Sequence, residues 1–299
     1  MNPKSIERAL DRYRAFKDED VRRRLAIFGP LILEAAAISN ELDDEDVVVE
    51  REPTADETIA ASKPNGTPLL RAGFVRINAD SFCRCAKHLG SVLLKSLELD
   101  EKLGSAAQHF DFAPYCTEAL VRTASENPHG YLEAVVKLWD SGDADEALLD
   151  IFVLPVLGET LRAYLTRFAE KASGLLERSE EQKPSYSRTN TCFCCGSVVE
   201  TPLRGNVKKL FCSTCGASWL YERIRCVRCG NDVVSELTYI SDEADDMHRM
   251  HVCSKCGGAM PTLFAMGDEL TFSADIEAIV LTGLEEAYDA AVREGTVPK

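Results

Sequence analysis

The chain has 299 residues, 45% of them hydrophobic, and its 34 Lys and Arg face 49 Asp and Glu for a net charge of −15. That length and apolar content can bury an ordinary core without metal or disulfide staples, which excludes a lone zinc finger. The charge argues against nucleic acid and anionic membrane as bulk partners, because both repel such a surface, and leaves room only for a local basic patch.

Residues 3–40 read as helical, with Leu10, Tyr13 and Phe16, then Leu25, Phe28, Ile32 and Leu33, at helical spacing. Gly29-Pro30 predicts a break or kink in the second segment. Arg22-Arg23-Arg24 before LAIFGPLILEAAA resembles a twin-arginine export signal. Glu34 interrupts its apolar run, however, and Asp18, Glu19 and Asp20 precede it, so a core helix is expected. The start of the chain, MNPKSIERALDRYRAF, does not read as a secretory signal, and no apolar run approaches the roughly 18 residues of a membrane span. A cytoplasmic protein without stable membrane insertion is expected.

Residues 41–67 hold nine acids between Glu41 and Glu57 and read as a solvated loop. From 68 to 178 apolar residues again recur at i, i+3, i+4 and i+7; Pro128 suits a helix start and Pro155 a kink or a new start. No strand-like alternation is visible before residue 190. The expected division is a helical body over 1–178, a polar linker over 179–190, a β-rich cysteine module over 191–266 and a C-terminal helix within 267–299 that packs back on the body.

The module repeats one motif four times: Cys192-Phe-Cys-Cys195-Gly, Cys212-Ser-Thr-Cys215-Gly, Cys226-Val-Arg-Cys229-Gly and Cys253-Ser-Lys-Cys256-Gly. Each CxxC puts two sulfurs on one tight turn, and two such turns can enclose a metal ion in a sulfur tetrahedron. The turn requires a positive φ after its second cysteine, and Gly196, Gly216, Gly230 and Gly257 supply it. Four pairs can form two sites in three ways. The simplest, sequential pairing gives tandem ribbons over 191–218 and 222–260, each enclosing a hairpin, with turns at Arg204-Gly-Asn206 and at SDEADD. Zinc and iron both suit four sulfurs.

Cys194 has no vacancy to fill in a closed site and is expected as an exposed or half-buried thiol. Cys83 and Cys85 point to different helix faces, and with Cys116 they read as core packing. His248 and His251 precede Cys253 and could replace a cysteine in a variant site, but four sulfurs suffice. The chain has no phosphate loop, HExxH or nucleophile elbow, so no catalytic residue is assigned and no enzyme is expected. A thioredoxin-like role would need a CxxC opening a helix, whereas glycine and β-like runs follow here. A zinc-ribbon nucleic-acid binder would need a basic surface. Residues 191–266 carry eight basic against eight acidic residues; Arg223, Arg225 and Arg228 cluster locally beside Trp219 and Tyr221, as a small patch or simply one strand face.

The stretch KKLFCSTCGASWLYERIRCVRCGN, followed by LTYIS, and the tail GDELTFSADIEAIVLTGLEEAYDAA with Glu285 and Glu286 resemble the FdhE family of formate dehydrogenase accessory proteins. The resemblance covers about a third of the chain. Cys194 and the continuation AMPTLFAM depart from the family pattern. The resemblance implies rubredoxin-like, iron-binding knuckles and a cytoplasmic assembly factor that contacts the catalytic subunit of formate dehydrogenase without turning over formate. An iron electron carrier of rubredoxin type is the alternative reading. The expected fold is thus a mostly helical N-terminal body, a tandem rubredoxin-like or zinc-ribbon-like CxxC module and a C-terminal helix.

Overall fold

The computed structural model of the chain describes residues 1–140, 145–182, 188–199, 202–204, 208–241, 247–264 and 272–294. The body starts with α1 (Pro3–Tyr13), whose N-terminal N–H groups are capped by Asn2, and α2 (Glu19–Glu41), capped by Asp18. α2 runs through Pro30 without ending. A mid-helix proline costs about 3 kcal/mol. Burial of Leu25, Leu31, Ile32, Ala35 and Ala36 outweighs that cost. Gly29 lets α1 approach closely, since a Cβ there would lie 2.7 Å from Leu10 Cδ2.

The acidic stretch is more ordered than a solvated loop. β1 (Val47–Val49) pairs antiparallel with β2 (Val75–Ile77), and α3 (Ala55–Ala61) opens with a reciprocal capping box between Thr54 and Glu57. The Thr-x-x-Glu spacing was a readable helix start. The strands were not readable, because three residues are too few for a periodicity and their partner lies far along the chain.

α4 (Ala79–Ser96), α5 (Glu101–Gln108), α6 (Glu118–Glu126), α7 (Pro128–Asp140) and α8 (Glu146–Leu148) follow. A π turn at Leu149–Val153 leads into α9 (Leu154–Gln182), so Pro155 sits in the first turn of a new helix. α9 is the axis of the body. It is buried over Thr160–Thr166 without a break, so no polar face is left there. Because α9 continues to Gln182, it takes up the start of the expected linker; residues 183–187 of that linker lie outside the described residues.

The cysteine module forms one six-stranded sheet, ordered β5-β4-β3-β8-β7-β6. β3 (Pro202–Arg204), β4 (Lys208–Phe211) and β5 (Ser218–Leu220) belong to the first ribbon, and β6 (Leu237–Ser241), β7 (His248–Cys253) and β8 (Gly258–Leu263) to the second. Neighbours within each ribbon are antiparallel. One parallel pairing, Leu203 opposite Leu263, joins the two ribbons. Both expected hairpins are present, although Gly205-Asn206 and residues 242–246 lie outside the described residues.

The first ribbon is an extension of the helical core rather than a tethered module. Phe193, Trp219 and the four cysteines beside them share one apolar cluster with Leu161, Leu165 and Phe168 of α9. α10 (Ala274–Arg293) closes the other side. Its Ile276 and Val280 pack with Ile6, Val21 and Leu25 of α1 and α2, and its Tyr288 packs with Met250, Val252 and Ala259 of the second ribbon.

A buried polar network pins this junction. Glu277, fully buried on α10, accepts hydrogen bonds from the Tyr13 hydroxyl at 2.7 Å and from Arg12 Nη2 at 3.1 Å. His248 Nε2 of β7 lies 3.2 Å from the same carboxylate and 3.1 Å from the Tyr13 oxygen. The tyrosine proton is directed at Glu277, so Nε2–H is the donor to both. Burial, and then the Glu277 carboxylate, raise the Tyr13 pKa, which keeps the hydroxyl protonated. Glu277→Leu should destabilise the chain by about 3–5 kcal/mol, because it strands buried donors. Removing the exposed partner of Arg24, by Glu286→Ala, should cost less than about 1 kcal/mol. Urea unfolding midpoints at neutral pH check both.

Candidate metal centres

Each knuckle closes the same way. The glycine N–H donates to the carbonyl of the first cysteine: Gly196 to Cys192 at 2.8 Å, Gly216 to Cys212 at 2.7 Å, Gly230 to Cys226 at 3.0 Å and Gly257 to Cys253 at 2.9 Å. All four glycines have positive φ, between 67° and 87°, the region that side chains disfavour.

The turns meet in sequential pairs. Cys192, Cys195, Cys212 and Cys215 form one cluster and Cys226, Cys229, Cys253 and Cys256 the other, with the sulfurs of each cluster within 4.8 Å of one another. In the first cluster Cys192 and Cys215 are 3.6 Å apart and Cys195 and Cys212 3.5 Å; in the second, Cys226–Cys256 and Cys229–Cys253 are both 3.8 Å. Sulfurs about 2.3 Å from a central zinc sit about 3.8 Å apart at the corners of a tetrahedron. The donor sets therefore fit a four-sulfur ion, and each cluster could hold one. All twelve cysteines are free thiols. An ion there would cross-link two turns and hence fold its ribbon; a redox-active one such as iron could also accept an electron.

The two clusters share this chemistry but differ in surroundings. All four sulfur residues of the first are buried, whereas Cys229 and Cys256 of the second are exposed. Burial pushes the Cys192 and Cys215 thiols well above the ordinary value, while hydrogen bonds from Cys192, Cys195 and Cys215 hold Cys212 well below it. In the second cluster burial pushes Cys226 up to about 12. Cys253, against its own burial, is brought down to about 7 by the backbone N–H groups of Cys256 and Lys255.

Several partners hold the clusters from outside. Leu69 and Leu70 N–H of the body donate to the carbonyls of Phe193 and Cys194, both at 2.9 Å, and Ser218 N–H donates to Ser173 Oγ of α9 at 2.9 Å. Arg162, on the fully buried stretch of α9, lies against the second knuckle. A Cβ on Gly216 would sit 1.6 Å from its Nη1. Its guanidinium donates to Asp275 Oδ1 of α10 at 3.0 and 2.8 Å and covers the Phe211 ring. Burial would lower its pKa, but Asp275 and Cys215 outweigh burial and raise it. Arg162 thus places a positive charge beside thiolates in a dry setting and ties the first cluster to the C-terminal helix. In the second cluster the buried Asn231 Nδ2 donates to Cys253 Sγ at 3.7 Å and to Glu236 at 2.9 Å. Nothing in the CxxCG spacing marks Asn231 or Arg162 as a support of the clusters. The readable signal was an arginine in the otherwise apolar TLRAYL.

Cys194 is buried rather than exposed, because its turn docks onto the body at Leu70. Cys85 and Cys116 are buried and Cys83 is half-buried, away from both clusters; burial pushes the Cys85 thiol up to about 12. His248 and His251 join neither cluster: His248 belongs to the Glu277 network and His251 stacks on Tyr239 at 4.6 Å. In the arginine run, Arg225 pairs with Glu222 and Asp232, and Arg228 with Glu285.

No protein-family profile matches the chain. A curated protein of Aquifex aeolicus (strain VF5), named a FdhE homolog, is 30% identical over 102 residues, which is 32% of this chain and 36% of that protein. In that match the chain spans about a third of the relative's length. The crystal structure of the FdhE protein from Pseudomonas aeruginosa superposes on 96% of this chain and 90% of its own, with a TM-score of 0.54 at 17% identity. The chain has the FdhE fold. The likeness expected from the cysteine ribbons is therefore found in sequence over a third of the chain and in fold over nearly all of it. No helix of the described residues is long and apolar enough to cross a membrane.

Gly216→Ala should be far more damaging than Gly257→Ala. Both have positive φ, but nothing lies within 4 Å of a Cβ at 257, whereas at 216 the buried Arg162 must move. Gly257→Ala should cost about 1–2 kcal/mol, and thermal unfolding of the two variants tests the order. With both clusters loaded, a colorimetric chelator should withdraw metal in two phases, the second cluster first, and Cys256→Ser should abolish the fast phase alone.

Proposed function

We propose that this chain is an accessory protein in the formation of active formate dehydrogenase and binds that enzyme's catalytic subunit through the second ribbon. The likeness to FdhE proteins supports the accessory role. The surface of the second ribbon supports the binding face. Of the seven large apolar side chains exposed among the described residues, Ile224, Val233, Val234 and Tyr239 all belong to the second half of the cysteine module, which also carries the exposed Cys229 and Cys256. Exposed apolar side chains concentrated in one part of the chain suit a protein contact. The eight cysteines would hold two ions, with the first cluster anchoring the ribbons to the body and the second shaping the binding face. The protein itself would not act on formate and would work in the cytoplasm.

The exposure of Cys229 and Cys256 also favours a second reading, an iron electron carrier with a solvent-facing centre. A visible spectrum and metal analysis of protein purified from its own host separate the two readings. A colourless protein holding only zinc removes the carrier and leaves the accessory role.

Deleting the gene should abolish or sharply reduce formate dehydrogenase activity, and tagged protein should capture the catalytic subunit. Val233→Glu/Val234→Glu should reduce capture at least tenfold with metal content unchanged. Undiminished activity in the deletion strain overturns the accessory role; unchanged capture by the double variant overturns the proposed face.

A further inference from the structure

A cleft of about 320 Å³ opens where α2, α9 and α10 meet the first ribbon. Its walls are mainly apolar, with Phe28 and Ile32 from α2, Pro155 from α9 and Ile279 from α10, and Ser213 of the second knuckle stands at its edge. Two carboxyls face it, Glu159 and Asp275. Asp275 is engaged by Arg162, but Glu159 Oε2 is buried without a hydrogen-bond partner. A buried polar atom in that state costs about 1–3 kcal/mol, more for a charged group. Burial first, and then the neighbouring Asp275, push the Glu159 carboxyl up to about 8, against the pull of Arg162. No role described above uses it.

The chemistry of an occupant follows from these walls. An occupant with a positively charged hydrogen-bond donor matches Glu159, because it would draw the raised carboxyl into its charged form, and an aliphatic body matches the apolar sides. The charges nearby are Asp275 and Arg162, which pair with each other, and the first cysteine cluster, which would carry about two negative charges around a divalent ion. A second anion is disfavoured there and a cation is favoured. The volume lies at the small end of ligand sites, about 300–1,000 Å³.

We propose that this cleft binds a small organic cation, an ammonium or guanidinium head on a short aliphatic chain, with the head pairing with the Glu159 carboxylate and the chain lying against Phe28, Ile32, Pro155 and Ile279. The ligand sits between the body, the C-terminal helix and the first ribbon, so binding draws those three parts together. The site is independent of the client surface on the second ribbon.

Isothermal titration of the metal-loaded full chain with n-butylamine and with agmatine tests this, with n-pentanol as the uncharged analogue of similar length. Saturable binding of at least one cation is expected, with n-pentanol at least tenfold weaker. Glu159→Gln keeps the shape but cannot give up a proton to become the carboxylate that pairs with the head, and should weaken the cation at least tenfold while metal content and circular dichroism stay unchanged. Ala278→Leu narrows the cleft from α10 without touching Glu159 and should also weaken binding, which keeps the test decisive if the first variant does not fold. No saturable heat with either cation, equal affinity for n-pentanol, or unchanged affinity in a folded variant overturns the proposal.

Discussion

The architecture depends on the burial of the first four-cysteine cluster inside the helical core. Cys192, Cys195, Cys212 and Cys215 share their apolar surroundings with α9, and the guanidinium of Arg162 is pressed against the turn that carries two of them. An ion in a four-thiolate site contributes about 10–16 kcal/mol at neutral pH. That is comparable with the whole stability of a domain, about 5–15 kcal/mol. Placed in the core, such a site acts on the body as well as on its own ribbon. Arg162 extends the coupling to Asp275 on α10, so the N-terminal body, the first ribbon and the C-terminal helix meet at one buried charge pair.

The second cluster uses the same turn chemistry for a different end. Its glycines, hydrogen bonds and sulfur spacings repeat those of the first, yet two of its cysteines reach solvent. The sheet explains the difference. Both β5 and β6 are edge strands, but β5 sits over α9, where Trp219 joins the helical core, whereas three of the five residues of β6 are exposed. Burial stabilises a thiolate site by excluding competing water and protons, and exposure makes one available to other molecules. Two ribbons that look alike in sequence thus have different surroundings in space. The two ribbons stay in register because a single parallel pairing and the α10 helix hold them to one sheet.

Much of the local structure was legible. The CxxCG repeats gave the four turns, because cysteine spacing and the positive φ after each second cysteine are local requirements; sequential pairing was the simplest of three, and it took the structure to bring those pairs together. The helices from Pro128 and after Leu149, and both ribbon hairpins, were likewise readable from periodicity and turn residues. Pro30 misled because a local rule met an opposing tertiary effect, a helix buried along most of one side. The β1–β2 pair and the burial of Cys194 were illegible for a related reason. Each depends on a partner distant in the chain, Val75–Ile77 in one case and Leu70 in the other.

The sequence by itself determined the four CxxCG turns, which rest on short-range spacing, and the mostly helical body, which rests on periodicity; the likeness to FdhE proteins is carried by the stretches KKLFCSTCGASWLYERIRCVRCGN and GDELTFSADIEAIVLTGLEEAYDAA. Only the tertiary structure decided which cluster is buried, which arginine supports it, that Glu277 joins α1, β7 and α10, and that Glu159 faces a cleft. The physical reason is that burial and charge pairing are properties of what packs against a residue. For these residues the partners are tens to hundreds of positions away.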